Sequence, residues 1–168
     1  MLKKVCAAVF LSAVWTACSI SYKFNGASID YTTVKSISIK DFPNMSPLVY
    51  APLADKFTDQ LRDKYVRQTR LQLLRENGTL DLEGEITGYD FASQAVKDGM
   101  YASMTRLTIT VRVRYSNSVN PDEDFEQSFS AYREFSNENQ IQQVQDQLSE
   151  EIIKEIVEQI YNATVANW

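Results

Sequence analysis

The chain contains no histidine. That excludes the Ser-His-Asp and Cys-His catalytic constellations and the His-bearing zinc sites. Cysteine is almost as scarce, with Cys6 and Cys18 the two present. Cys6 lies inside an amino-terminal apolar run that export would discard, so no disulfide framework is available. Five glycines in 168 residues leave no glycine-rich phosphate cradle, and no nucleophile motif or metal-ligand spacing occurs. Cations are short as well: 17 Lys and Arg stand against 22 Asp and Glu, which withholds the basic footprint of general nucleic-acid binding. The acidic run Asp122-Glu123-Asp124 falls in a turn, where solvation accounts for it. These absences predict a protein that is not an enzyme, with no metal, no catalytic residues and no nucleic-acid partner.

Also missing is any apolar run of the roughly 20 residues that a membrane-spanning helix needs. What is there at the amino terminus is shorter. Lys3 and Lys4 precede Val5 to Val14, apolar apart from Ser12, and small residues follow, which is the pattern of a secretory signal. Cys18 directly after Thr16-Ala17 resembles the lipobox of bacterial lipoproteins. The resemblance implies cleavage after residue 17, diacylglycerol on the Cys18 thiol and an acylated new amino terminus, with no other cofactor. Several acyl chains, each methylene worth about 0.8 kcal/mol when buried, hold a protein on a membrane stably where one chain does not. Cleavage leaves 168 − 17 = 151 residues with 17 − 2 = 15 basic and 22 acidic side chains, a net charge of −7. That length suits one domain with its own core.

Residues 18–33 read as a lipidated tether and 34–168 as a single domain. Val34 to Lys40 alternates, with Ile37 and Ile39 on one side, as in a half-buried strand. Pro43, Pro47 and Pro52 then mark a loop. From Leu53 the period lengthens: Leu53, Phe57, Leu61 and Tyr65 recur every four residues with charges opposite, predicting an amphipathic helix that Pro52 starts. Leu71 to Leu74 is open between an extension of that helix and a short strand. Leu80, Leu82 and Ile86 alternate with Asp81, Glu83 and Glu85, and the phase flips at Gly88, which predicts a bulge.

The cleanest strand spans Tyr101 to Tyr115, with Leu107, Ile109, Val111, Val113 and Tyr115 on one face and Arg106, Arg112 and Arg114 on the other. Pairing it with the preceding strand through an Ala92 to Met100 loop brings Asp81 near Arg112. The arginines have two readings: a solvated face balanced by Asp81, Glu83 and Glu85, or a surface for an anionic partner, since guanidinium grips phosphate and carboxylate bidentately. A last strand carries Phe125, Phe129, Ala131 and Phe135, with Gln127 and Arg133 interrupting the same parity. Ser136 or Asn137 is placed to cap a final helix with the stripe Ile141, Val144, Leu148, Ile152, Ile156 and Ile160, widened by Ile153 and Val157. The order β-α-β-β-β-α predicts an α+β two-layer sandwich, two helices packed on one face of a largely antiparallel sheet, the other face polar.

The lipobox, the Tyr22-Lys23-Phe24-Asn25-Gly26-Ala27-Ser28-Ile29 segment, this element order and the Leu82-Glu83-Gly84-Glu85-Ile86 strand together resemble the LptE family of lipopolysaccharide-assembly lipoproteins, in a form like those of Bacteroidetes. The resemblance implies a lipid-anchored protein on the periplasmic side of the outer membrane. There it plugs the LptD β-barrel, assists its assembly and binds lipopolysaccharide. It also implies a lipopolysaccharide contact at a basic residue before glycine in the first long hairpin, a position that Lys97-Asp98-Gly99 matches. The second basic position of the family, ahead of the last helix, is occupied by Asn137-Glu138-Asn139. Ser19-Ile20-Ser21 lacks the acidic cluster that resembles a surface-export signal. Two rival readings are a lipoprotein adaptor of another envelope transport or secretion complex, and a barrel-free binder of an anionic glycan or lipid.

Overall fold

The computed structural model describes residues 29–94 and 104–165. Alternation makes the first strand, β1 (Ser36–Ile39), whose Ile37 and Ile39 are buried. The four-residue repeat winds helix α1 (Leu53–Gln68) and buries Leu53, Phe57, Leu61 and Tyr65. Pro52 precedes it with helical dihedrals, φ −73° and ψ −9°, and its missing N–H falls where no intrahelical carbonyl would accept it. Thr69 stops the helix in an extended conformation, and its Oγ1 donates to the Tyr65 carbonyl at 2.7 Å.

Leu71 to Leu74 resolves as a strand, β2 (Gln72–Leu74), parallel to β1. Asn77 then adopts a left-handed φ of 56°, a conformation asparagine tolerates, and turns the chain into β3 (Leu80–Gln94), parallel to β1 on its other side. β3 forms a long antiparallel hairpin with β4 (Met104–Asn117), and β5 (Phe125–Ser136) extends it antiparallel to β4. The final helix, α2, spans Ile141–Thr164. Sheet order is β2-β1-β3-β4-β5. The sheet is therefore mixed: the expected antiparallel pairing holds for β3, β4 and β5, and the β1 connections are parallel because α1 crosses over between β1 and β2.

Both helices cover one face, as the element order predicts. Leu82, Ile86 and Tyr89 of β3 and Leu107, Ile109, Val111 and Val113 of β4 share one core with Phe57, Leu61, Ile152, Ile153, Ile156 and Ile160. Each such side chain contributes roughly 1.5–3 kcal/mol on burial. The helices are clasped to each other by Lys56 with Asp146, Lys64 with Glu158, and the edge-on rings of Tyr65 and Tyr161, 5.5 Å apart.

The bulge stands where the phase flips, between Ile86 and Gly88. The hairpin register differs from expectation. Asp81 pairs with Ser116, and Arg112 lies across from Glu85, because the strands remain paired out to Gln94 and Met104 instead of parting at Ala92. The displacement is an even number of residues, so the apolar sets stay together in either register and alternation does not choose between them. The cap of α2 is also different. Gln140 occupies the cap position with no side-chain hydrogen bond. Ser136 instead closes a turn ahead of the helix, accepting the Glu138 N–H at Oγ (3.2 Å) and the Asn139 N–H at its carbonyl (3.0 Å).

Candidate functional site

Of the residues singled out in the sequence, Arg106, Arg112 and Arg114 lie among the described residues, all on the helix-free face of the sheet. Cys18 and Lys97 lie outside them. The arginines stand there because even positions of β4 point away from the core, and each faces at least one acid: Glu83 and Glu126 across from Arg114, Glu85 across from Arg112, and Glu134 across from Arg106.

The result is a continuous ladder of ion pairs. Lys40 at the end of β1 binds Glu83 and approaches Asp81 at 3.9 Å. Arg114 spans two strands, Nη1 to Glu83 at 3.0 Å and Nη2 to Glu126 at 3.1 Å. Arg112 pairs with Glu85 and approaches Glu126 at 4.0 Å. Farther along, Arg106 grips Glu134 through Nη2 at 2.6 Å and Nε at 3.1 Å, and its guanidinium lies 4.1 Å from the Tyr132 ring centre. The hydrogen bond from Lys40 holds the Glu83 carboxyl below its ordinary value, and the same bond raises Lys40. Arg114 is raised chiefly by its bond to Glu126.

Around Gly84 the ladder rims an open depression of roughly 540 Å³ lined by Lys40, Glu83, Glu85, Arg112, Arg114 and Glu126. An incoming anion would have to displace a carboxylate from each guanidinium it used. As arranged, the face is polar and internally neutralised. Among the described residues no group of carboxylate and thiol side chains is placed to hold a metal, and no helix is long and apolar enough to cross a membrane.

Interruptions in the β5 pattern also acquire a role. Arg133 points toward the helix layer, where Nε meets Glu151 at 3.1 Å and Nη1 meets Glu155 at 2.7 Å. One group of exposed side chains passed unnoticed in the sequence, Met45, Leu48 and Val49. Its signal was present: no charged residue occurs from Phe42 to Ala54.

The family model described as LptE, lipopolysaccharide-assembly, matches residues 34–164. No curated protein matches the chain in sequence. Among solved structures, the fold is similar to that of a minor lipoprotein from Acinetobacter baumannii, with a TM-score of 0.54 at 19% identity, covering 80% of this chain and 94% of that one. An uncharacterized lipoprotein B from Nitrosomonas europaea aligns with a TM-score of 0.49 at 12% identity, over 76% of this chain and 79% of its own.

Proposed function

We propose a barrel-plug function for this chain, which belongs to the LptE lipopolysaccharide-assembly family. On that premise it is an outer-membrane lipoprotein, acylated at Cys18 and facing the periplasm. It occupies the lumen of an LptD-type β-barrel, assists the barrel's assembly and takes part in moving lipopolysaccharide to the cell surface.

The observation that carries the reading is the helix-free sheet face. Barrel lumens are polar, and a plug needs a surface that is polar without demanding a counter-charge. The ladder from Lys40 through Glu83, Arg114, Glu126 and Arg112 to Glu85 supplies one, each cation answered by a carboxylate. In this reading Arg106, Arg112 and Arg114 are held by their acids and serve the face itself, while Lys97 is the lipopolysaccharide contact.

Depletion of the protein in its own cell tests this. Folded barrel in the outer membrane and surface lipopolysaccharide should fall together. Retention of both at normal levels after depletion would overturn the reading.

A further inference from the structure

Between β1 and α1 the chain runs from Phe42 to Ala54 without a charged residue. In the middle of this run Met45 is 64% exposed, Leu48 48% and Val49 81%. Isolated apolar side chains on a surface are ordinary. Three within five residues, on a loop with no charge, are a feature.

The loop is held rigidly. Asn44 bridges to Ile86 of β3, the Met45 N–H donates to the Ile86 carbonyl at 2.9 Å, and the Ile86 N–H donates back to Pro43 at 2.9 Å. Asn44 Oδ1 accepts the Ser46 N–H at 3.0 Å, and Ser46 Oγ lies 2.6 Å from the Leu48 carbonyl. Pro47 fixes its own φ. Tyr50 then anchors the far side by stacking on Tyr89, ring centres 5.8 Å apart. Apolar side chains held out on so stiff a scaffold lose little freedom on docking.

What covers them is indicated by charge and by reach. Protein interfaces carry a polar rim, whereas segments entering hydrocarbon exclude charge, as this loop does. A polar barrel lumen does not suit it. The described chain begins at Ile29, eleven residues after Cys18, a tether of at most about 40 Å. Ile29 shares a groove with Leu80 at the start of β3, and the loop is docked at Ile86, six residues or roughly 20 Å farther along that strand. An acyl group on Cys18 therefore keeps the loop within reach of the bilayer.

We infer that the Met45–Val49 loop inserts into the bilayer that carries the lipid anchor, placing Met45, Leu48 and Val49 at acyl-chain level as a second attachment. The inference rests on the acylation of Cys18 in the function proposed above and concerns the lipidated protein before a barrel encloses it. Two attachments fix how the domain faces the membrane, where a tether alone leaves it free to rotate.

The test uses the mature, lipidated protein in vesicles of phosphatidylethanolamine and phosphatidylglycerol with brominated acyl chains. Because the Cys18 thiol is consumed by its lipid, a Val49→Cys variant carries one reactive thiol for an environment-sensitive fluorophore, and Val66→Cys on α1, also exposed, is the control. The expected result is a blue shift and bromine quenching at position 49 and neither at position 66. A position-49 probe that stays water-like on vesicles to which the protein is bound overturns the inference. So does a probe that becomes shielded only when a barrel protein is added, which would make the loop a protein contact. Intact mass of the same sample reports acylation separately: an unacylated chain refutes the anchor rather than the loop, and the mature Cys18→Ser, Val49→Cys variant then decides the loop, since quenching of its single probe by added vesicles would support insertion and a water-like probe on bound vesicles would overturn it.

Discussion

The ring of Phe42 occupies the space where a side chain on Gly84 would be. A Cβ built on Gly84 would stand 2.6 Å from Phe42 Cε1 and 2.1 Å from the Arg112 carbonyl oxygen, and Phe42 is wholly buried. The glycine in Leu82-Glu83-Gly84-Glu85-Ile86 is thus a packing residue, which lets the loop after β1 close over β3. Gly84→Ala should destabilise the domain by about 1–3 kcal/mol through overpacking, read by thermal or urea unfolding. Adding Phe42→Leu should recover part of the loss, since the two sites are in contact. Additive effects would show that Phe42 is not the obstacle.

Arg133 lies on β5, the last strand in the sheet order, with its guanidinium turned to Glu151 and Glu155 of α2. Among the described residues β5 has no neighbour beyond it, and an inward-pointing charge is one way to discourage edge-to-edge pairing. Arg133→Leu should leave stability within about 1 kcal/mol, because its ion pairs with Glu151 and Glu155 are partly solvated. Concentration-dependent association in sedimentation should appear instead. A variant that stays monomeric to high concentration would remove this role.

Ser149 is fully buried on α2, and its Oγ has no hydrogen-bond partner. Replacing a buried, unpaired hydroxyl by a smaller apolar group removes its desolvation cost, so Ser149→Ala should raise stability by about 1 kcal/mol. A loss of stability in the same unfolding assay would mean the hydroxyl is paired in solution.

Stability should fall at both extremes of pH. The Asp146 carboxyl is held below its ordinary value chiefly by Lys56, and Glu83 chiefly by Lys40. Groups with folded values below their unfolded ones stabilise the fold above the unfolded value, and that contribution is lost as pH drops through the folded value. On the alkaline side, burial first and then the bond to Asp146 push Tyr50 up to about 12. Its contribution is complete below the ordinary tyrosine value near 10 and is lost between there and about 12. Denaturation midpoints measured from pH 3 to 12 should trace a plateau with two shoulders, and Tyr50→Phe should reduce the alkaline one, to which Tyr65, Tyr115 and Tyr161, also raised by burial, contribute. An unchanged alkaline shoulder in that variant would exclude Tyr50 as a source.

Much of this architecture was legible wherever one period was sustained. The Leu53, Phe57, Leu61, Tyr65 repeat marked α1, Ile152, Ile156 and Ile160 marked α2, and the change of phase at Gly88 marked the bulge. Four features were not. The hairpin register escaped because sliding Arg112 from Asp81 to Glu85 changes no side chain's face. The Gln140 cap escaped because Ser136, a better capping residue by type, is drawn into a turn. The arginine stripe was readable as a stripe, but whether its charges were free depended on Glu126 and Glu134, which β5 brings in from a distant part of the sequence. The rigid apolar loop was masked by its prolines, which announce a turn and say nothing of what the turn displays.

The most direct test is affinity purification of the tagged, lipidated protein from detergent-solubilised outer membranes, with mass spectrometry of what remains bound. The account predicts a near-stoichiometric LptD-like barrel that survives mild denaturant. Recovery of the protein alone, or with a transport or secretion complex in place of a barrel, would contradict it.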